Sequence, residues 1–507
     1  MTLRLYITAF IGGLISLALE LAASRLLEPF FGTANLVWTA IIGMILLFLS
    51  VGYALGGRWA DRSPYPATLY TILVGAGLAI AVIPMVARPV LLVAARGLMA
   101  WNAVQVAGTF IAVLILFAVP VTLLACVSPF VIRLALTDVQ LSGITSGKIY
   151  AISTAGSFLG TFLPTLFLIP TVGTRRTFLL LALLAVTTGL WGLWQADRRR
   201  FWILLWALPV LAALFVWQPA AIKPQAGLIH EEESTYNFIQ VVENKQGVRY
   251  LLLNEGQGVH SVYVPGGQVL TGGTWDYFLI APYFNPPPHP SSRVESLLVI
   301  GLAAGTTPYQ YTRVYGSIPI DGIEIDPAIV AVGQTYFGMT EPNLNVHIAD
   351  GRTFLYQTER RYDVVAVDAY RLPYIPWHMT TVEFFQQVRA HLTDAGVVAI
   401  NVGHTPDDWR MVQAMVTTMR QVFPAVHTIA VPDTFNAIVV ATVQPTTPEN
   451  VEANLELLED RRLRAVAISA LRNLRKIDSG TLVFSDDHAP VEQLTNALAL
   501  RYILDRQ

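Results

Sequence analysis

Cysteine and charged residues are both scarce in this 507-residue sequence. Cys126 is the single cysteine, which excludes a small fold held together by disulfide bonds. Charged residues make up 13% of the chain and hydrophobic residues 54%, so the composition is too apolar for a soluble enzyme of this length. The histidines show no metal-ligand spacing, and we therefore predict no metal site.

The few charges are divided unequally along the chain. The first 220 residues hold 13 basic and 5 acidic residues, and the remainder holds 20 basic and 30 acidic residues. No basic stripe runs through the acidic part, so a nucleic-acid partner is not expected. The sequence therefore predicts a membrane part joined to an acidic soluble part.

The first part contains apolar runs long enough to cross a bilayer. About 20 apolar residues are needed for one crossing, and we count about seven such runs, at 5–24, 37–57, 67–87, 103–126, 149–170, 177–196 and 201–217. We predict an α-helical transmembrane bundle over residues 1–218, with the lipid bilayer as its partner.

Ionisable residues inside the first run are a second feature of this part. Glu20 and Arg25 are costly in a membrane unless they have a partner or a function. Neighbouring helices could satisfy them, or Glu20 could line a cavity that binds a cation such as a polyamine.

The second part begins with alternating runs typical of antiparallel strands. Residues 236–243 and 249–254 are separated by Asn244-Lys-Gln-Gly-Val248, which predicts a β-hairpin. We assign residues 228–292 to a small antiparallel β domain that acts as a lid.

From residue 293 to residue 507, apolar strands alternate with helical stretches. This alternation predicts a doubly wound, Rossmann-like α/β domain. The predicted strands are 297–300, 318–325, 346–348, 364–367 and 397–402.

Small or acidic residues close these strands, at the edge where ligands of such sheets bind. The first strand ends in Gly301-Leu-Ala-Ala-Gly305, a turn that lets a ligand approach the backbone. The second ends in Glu324-Ile-Asp326, which is placed to accept hydrogen bonds from a ribose. Asp350-Gly351 and Asp368-Ala-Tyr370 end the next two strands. Together these four ends predict a nucleoside site.

The glycine turn also bears on which nucleotide is bound. It lacks the Lys and Ser/Thr of a phosphate loop and the third Gly of a dinucleotide fingerprint. Acidic strand ends suit a ribose, an exocyclic amine and a positive sulfur, so we expect an adenosine that carries a sulfonium.

These motifs, taken in order, resemble the membrane-fused members of the spermidine synthase (polyamine aminopropyltransferase) family. The resemblance is carried by Leu19–Gly32, Gly52–Arg62, Leu251–Gly256, Val299–Gly305, Gly322–Asp326, Asp350-Gly351, Tyr362–Asp368, Thr381–Phe385 and Asp486–Glu492. It implies a β domain over a methyltransferase-like sheet. It also implies transfer of the aminopropyl group of decarboxylated S-adenosylmethionine to a polyamine, with release of methylthioadenosine.

The resemblance implies roles for individual residues. Glu324 would bind the ribose, Asp350 the adenine amine and the turn the sulfonium side, while Asp368 would lie at the reacting centre. The expected nucleoside-binding residues are Gly301, Ala303, Gly305, Glu324, Ile325, Asp350 and Gly351.

Three departures from the family pattern qualify these roles. Ala304 stands where the family has an acid that binds the donor amine, and Arg371 stands where it has the acid that acts as base. Asp276 opens the stretch that replaces a Tyr-His-Glu motif. Asp368, Asp276, Glu255 and Tyr370 remain as candidate bases, and Tyr236, Glu255, His260, Arg371 and Glu20 are candidate substrate contacts.

These departures leave three functions open. The first is a membrane-anchored aminopropyltransferase. The second is an enzyme that acts on intact S-adenosylmethionine by cleavage or methyl transfer, because Ala304 removes a charge that selects against a carboxylate. A polyamine or nucleoside transporter with a ligand-sensing domain is the third. A homodimer is a further expectation.

The side of the membrane on which the soluble part lies is predicted differently by two arguments. In a model with seven spans, eight basic residues lie on one side of the membrane and five on the other. Because basic residues are enriched on the inner side, this difference places the amino terminus inside and the soluble part outside. A cytosolic nucleoside substrate requires the opposite. We expect an integral protein of a bacterial-type plasma membrane with its soluble domain in the cytoplasm.

Overall fold

The structure, a computed structural model, describes residues 2–31, 35–97, 104–217, 223–254, 258–370 and 374–504. The candidate residues Glu255 and Arg371 lie outside this set. The chain divides into one compact unit of residues 1–225 and 231–238 and a second of residues 226–230 and 239–507. The β domain and the Rossmann-like domain, predicted separately as 228–292 and 293–507, fall mainly in the second unit.

Long apolar helices build the first unit. They are α1 (Thr2–Phe31), α2 (Asn35–Arg62), α3 (Pro66–Gly97), α4 (Val104–Ala135), α5 (Ser142–Leu163), α6 (Ile169–Ala196), α7 (Arg198–Leu204) and α8 (Ala207–Val216).

Small residues let these helices pack closely. A Cβ added to Gly156 of α5 would lie 2.0 Å from the carbonyl oxygen of Phe10, and one added to Gly160 would lie 2.2 Å from that of Leu14. Gly156 lies against Phe10, and Gly160, one turn later, lies against Leu14, one turn later on α1. The two helices therefore run parallel. Arg25, near the end of α1, forms an ion pair at 2.8 Å with Glu28 of the same helix.

The described part of the chain contains six helices that are long and apolar enough to cross a membrane, where the sequence predicted seven spans. The counts differ because predicted spans 149–170 and 177–196 are parts of one helical segment, Ser142–Ala196. Gly173 interrupts this segment with a φ of 81°, a conformation that favours glycine.

The second unit begins with an antiparallel sheet of order β1-β2-β3-β4, whose first strands extend into the segment assigned to the first unit. Its strands are β1 (Leu228–Glu233), β2 (Phe238–Glu243), β3 (Arg249–Leu253) and β4 (Val259–Tyr263). The predicted hairpin corresponds to β2 and β3, which pair in antiparallel register.

A seven-stranded sheet of order β10-β11-β9-β8-β5-β6-β7 forms the rest of the second unit. Strands β5 to β9 pair in parallel, and β10 and β11 add an antiparallel edge. The strands are β5 (Leu297–Ile300), β6 (Ile320–Glu324), β7 (Leu344–Ile348), β8 (Tyr362–Val367), β9 (Leu392–Gly403), β10 (Ala425–Ala430) and β11 (Asn436–Thr442).

Helices cover both faces of this sheet, as its buried strands require. They are α9 (Thr274–Phe278), α10 (Thr306–Tyr315), α11 (Pro327–Tyr336), α12 (Gly351–Gln357), α13 (Val382–Ala390), α14 (Arg410–Met419), α15 (Glu449–Leu455), α16 (Arg461–Arg472) and α17 (Val491–Leu504). One apolar core on each face holds them, so the second unit has the Rossmann-like fold that the sequence predicted.

Candidate active site

The register of the parallel strands brings the carboxyl ends of four strands to one edge of the sheet. Ile300 of β5 pairs with Ile323 of β6 and with Val367 of β8, and Val367 pairs with Ile400 of β9. The next residue on each strand is therefore Gly301, Glu324, Asp368 or Asn401. These four residues form the floor of the candidate site.

The turn after β5 has an unusual backbone. Gly301 and Gly305 both have a φ of 88°, and Ala303 has a φ of 48°. A Cβ on Gly301 would lie 2.6 Å from the carbonyl oxygen of Asp368, so only glycine fits between β5 and the reacting centre. The turn therefore packs tightly against the residues that follow β8, and the approach of a ligand to its backbone stays a prediction.

Glu324 is a buried carboxylate held by this turn. Its Oε2 accepts a hydrogen bond from the Ala303 amide at 2.9 Å, and its Oε1 accepts one from the Asp326 amide at 3.1 Å. Burial raises the pKa of Glu324 to about 7, although these backbone donors oppose the shift. Each oxygen keeps a lone pair that could accept a ribose hydroxyl.

Asp350 caps the amino terminus of α12, and its carboxylate is more strongly ionised than that of Glu324. One oxygen accepts from the Thr353 amide and the other lies 2.9 Å from Nε2 of His378. The hydrogen bond with His378 is the main cause that lowers the pKa of Asp350 to about 2. Asp350 is therefore negative at any physiological pH.

Hydrogen bonds to a residue near the carboxyl terminus of the chain hold α12, the helix that Asp350 caps, in place. Arg352 forms two hydrogen bonds of 2.7 Å with the carboxylate of Asp486. Asp486 also accepts from the hydroxyl of Thr381, the residue that caps α13. The acidic motif at 486–492 thus positions the helices around the site.

Asp368 follows β8 and lies at the centre of the site. Its Oδ1 accepts a hydrogen bond of 2.9 Å from the side-chain amide of Asn401. Burial raises the pKa of Asp368 to about 6, and hydrogen bonds from Asn401 and Trp275 counteract part of that rise. An acid of this pKa is ionised at neutral pH and can still accept a proton during a reaction.

Two of the other candidate bases, Tyr370 and Asp276, belong to the described residues and have different surroundings. The Tyr370 hydroxyl donates to the carbonyl oxygen of Asn401 at 3.1 Å, and burial raises the pKa of Tyr370 further above its ordinary value. Asp276 is 4% exposed and accepts hydrogen bonds from Thr271, Gly272 and Gln310. These contacts favour a structural role for Asp276, so its catalytic role stays a prediction.

Ala304 occupies the position at which the resemblance implies an acid. It is 2% exposed, and its amide donates to the hydroxyl of Ser261 at 2.9 Å. Its side chain belongs to an apolar cluster with Ile329, Val332 and Phe337. The position is therefore occupied by apolar packing.

The remaining predicted residues are distributed over both units. Ile325 is 40% exposed after β6, and Gly351 opens α12 so close to Ile300 that a Cβ would lie 2.3 Å from its side chain. His260, on β4, lines a cavity beside Tyr370 and Asn401. Glu20 and Tyr236 belong to the first unit.

Sequence reasoning missed three side chains that contact the predicted acids. They are Asn401 and Trp275, on Asp368, and His378, on Asp350. Asn401 could have been found, because it lies inside a predicted strand and the register places it beside Asp368. Among the residues that the structure describes, no group of three His, Cys, Asp or Glu side chains is arranged to hold a metal ion.

A Rossmann-like sheet that presents a glycine turn and three acids at one edge is typical of enzymes that bind a nucleoside or nucleotide. Residues 289–454 match the family model described as the spermine/spermidine synthase domain. A probable polyamine aminopropyl transferase of Bifidobacterium longum is 31% identical over 314 residues, which cover 57% of this chain and 68% of that protein. This chain belongs to the spermidine synthase family, and it is a transferase of the polyamine aminopropyltransferase type.

Two other proteins are similar to parts of the chain. The human eEF1A lysine and N-terminal methyltransferase is 29% identical over 207 residues, which cover 38% of this chain and 28% of that protein. The crystal structure of a probable spermidine synthase from Corynebacterium glutamicum is 20% identical with a TM-score of 0.39, covering 51% of this chain and 99% of that one.

Proposed function

We propose that this chain is a membrane-anchored enzyme that moves the aminopropyl group of decarboxylated S-adenosylmethionine to an amine and releases methylthioadenosine. The observation that carries the proposal is the register that places Gly301, Glu324 and Asp368 at adjacent strand ends. The six apolar helices of the first unit support membrane attachment. The nucleoside substrate favours a cytoplasmic position for the second unit.

In the proposed reaction, each group of the site has one task. Glu324 accepts hydrogen bonds from the ribose hydroxyls, and Asp350 accepts one from the adenine amine. The acceptor nitrogen attacks the aminopropyl carbon bonded to sulfur, the carbon–sulfur bond breaks, and its electron pair stays on sulfur. Asp368 takes the proton that the nitrogen loses.

Intact S-adenosylmethionine is a second candidate donor. The apolar surroundings of Ala304 support it, because no acid at that position attracts the amine of a decarboxylated donor or repels a carboxylate. The similarity to a methyltransferase points in the same direction. Methyl transfer would release S-adenosylhomocysteine, and cleavage would release methylthioadenosine without an acceptor.

Product analysis separates these donors. We expect the purified chain to release methylthioadenosine from decarboxylated S-adenosylmethionine only when an amine is present, and mass spectrometry of the mixture measures both products. Methylthioadenosine from the intact donor without any amine, or a methylated amine with S-adenosylhomocysteine, would contradict the proposal and support the second candidate.

The pH dependence of nucleoside binding tests the role of Glu324. Its pKa of about 7 means that the carboxyl is neutral below and charged above that value, and ribose hydroxyls bind the charged form better. We expect methylthioadenosine to bind about tenfold more tightly at pH 8 than at pH 5.5, which corresponds to a fall of about one unit in the pKa of Glu324 on binding.

Calorimetric titration at several pH values measures this dependence. Asp350 contributes little to it, because its pKa of about 2 keeps it charged throughout. The Glu324→Gln variant should bind weakly with no change over this range, and Asp368→Asn should keep the dependence of the natural chain. A profile that Glu324→Gln does not alter would exclude Glu324 as its source.

A further inference from the structure

Two side-chain hydrogen bonds join the carboxyl-terminal part of β9 to the residues that follow β8. The side-chain amide of Asn401 donates to Oδ1 of Asp368 at 2.9 Å, and the hydroxyl of Tyr370 donates to the main-chain carbonyl oxygen of Asn401 at 3.1 Å. Asn401 is 5% exposed, and its side-chain oxygen has no hydrogen-bond partner among the described residues. Within the described part of the chain, the bond to Asp368 therefore orients the Asn401 amide.

The main chain of Asp368 is fixed from the opposite side, by the end of β5. Its amide donates to the carbonyl oxygen of Ile300 at 2.9 Å. Gly301 packs so closely that a Cβ on it would lie 2.6 Å from the carbonyl oxygen of Asp368. The terminal torsion of an Asp side chain is broad, so a fixed main chain does not by itself fix the carboxylate. The hydrogen bond from Asn401 supplies the missing restraint.

The same hydrogen bond also bears on the charge of Asp368. A donor to a carboxylate favours the ionised form. Burial raises the pKa of Asp368 to about 6, and the hydrogen bonds from Asn401 and Trp275 oppose that rise. A neutral amide keeps its N–H donors at every physiological pH, so Asn401 has this effect without exchanging a proton itself.

We propose that Asn401 is a positioning residue for the transfer: its amide holds the carboxylate of Asp368 in one orientation and in its ionised form, so that Asp368 can take the proton lost by the acceptor nitrogen. Tyr370 supports this role by fixing the main chain of Asn401. The inference rests on the proposed aminopropyl transfer. It assigns to Asn401 no bond with the substrate, because Asn401 acts through Asp368.

The pH profile of kcat distinguishes this role from a structural one. As the base, Asp368 has to be ionised, so kcat is full above its pKa and falls as the pH falls through that value. Asn401→Leu has a similar size and removes the donor. Loss of a hydrogen bond to a charged group should raise the pKa of Asp368, and with it the acid limb of the profile, by about one to two pH units.

The split between kcat and KM tests the orientation of the carboxylate. Release of methylthioadenosine from decarboxylated S-adenosylmethionine is measured with 1,4-diaminobutane as the amine. On the alkaline side of the limb we expect kcat of Asn401→Leu to fall about tenfold or more, because a misplaced base reacts slowly. KM for the donor should change less than about threefold, since the strand ends proposed to bind the nucleoside are untouched.

Two further variants complete the experiment. Asn401→Ala also lacks the donor but adds no apolar bulk, and it should show the same shift of the acid limb. Asn450→Leu removes a side-chain amide of α15 that donates to the carbonyl oxygen of Phe284 at 2.9 Å, and it should keep the profile of the natural chain. The other ionisable residues of the site and its sequence neighbours are the same in all these proteins, so differences between the profiles report on Asn401: Glu255, His260, Glu324, Tyr370 and Arg371.

An acid limb that stays in place in both Asn401 variants would overturn the inference, even if kcat falls, because a purely structural loss lowers the rate alike at every pH. A shift of the same size in Asn450→Leu would overturn it as well.

Failure of the proposed transfer has a different signature, because the natural chain would then release no methylthioadenosine from the decarboxylated donor with any amine. In that case the infrared band of the protonated Asp368 carboxyl, identified by its absence in Asp368→Asn, is titrated in the purified full chain. In Asn401→Leu the band should titrate about one to two pH units higher than in the natural chain. Identical titrations would overturn the inference.

Discussion

Replacing Asp368 by Asn should lower the rate of aminopropyl transfer about 10³-fold, because the acceptor nitrogen would lose the group that takes its proton. Asn has the size of Asp and still offers an oxygen to the side-chain amide of Asn401, which donates to Asp368 at 2.9 Å. The structure around the site should therefore be retained. The expected loss is in kcat, measured as methylthioadenosine released per enzyme at saturating donor and amine.

Two controls separate a catalytic loss from a structural one. Methylthioadenosine should bind Asp368→Asn with an affinity within twofold of that of the natural chain, because Glu324 and Asp350 are untouched. Asp394→Asn makes the same chemical change at the exposed, amino-terminal end of β9 and should keep full activity. A rate for Asp368→Asn within tenfold of the natural chain would show that another group removes the proton.

The surroundings of the other candidate bases explain why Asp368 is preferred. Burial raises the pKa of Tyr370, and its hydroxyl already donates to a carbonyl, so its proton stays in place at neutral pH. Both oxygens of Asp276 accept hydrogen bonds from Thr271, Gly272 or Gln310. Among the acids that the structure describes beside the cavity, Asp368 combines a raised pKa with a neighbouring space for an amine.

The sequence predicted the parts of the site that depend on strand ends. In a parallel sheet, the residues that follow each strand meet at one edge, so locating the apolar strands was sufficient to place Gly301, Glu324, Asp350 and Asp368. The same reasoning would have placed Asn401 beside Asp368, had the register of β8 and β9 been followed one residue further.

Other contacts could not be obtained from strand order. Gln310 is 34 residues from Asp276 in sequence, and His378 is 28 residues from Asp350, and each pair meets only because helices and loops pack in a particular way. Hydropathy likewise located the apolar runs but not how the two predicted spans are joined, because their connection within the Ser142–Ala196 segment is no more than a break in the helical backbone at Gly173.

Replacing Glu324 by Ala should remove detectable nucleoside binding. Glu324 is expected to accept hydrogen bonds from both ribose hydroxyls, and hydrogen bonds to a charged group contribute about 1.5 to 3 kcal/mol each. The combined loss of about 3 to 6 kcal/mol corresponds to a weakening of about 10²- to 10⁴-fold in affinity for methylthioadenosine. Calorimetric titration of the purified variant measures it.

The Glu324→Ala change also leaves the amides of Ala303 and Asp326 without their acceptor, so weaker binding could reflect a disturbed glycine turn. Glu324→Asp keeps a carboxylate that is one methylene shorter, and we expect it to restore part of the affinity if the ribose contact is what matters. Glu359→Gln, at an exposed position after α12, makes a matched change of charge and should bind normally. If the affinity of Glu324→Ala for methylthioadenosine is within tenfold of that of the natural chain, and its thermal unfolding is unchanged, the nucleoside does not contact Glu324. The strand-end site would then have to be abandoned, together with the transfer mechanism built on it.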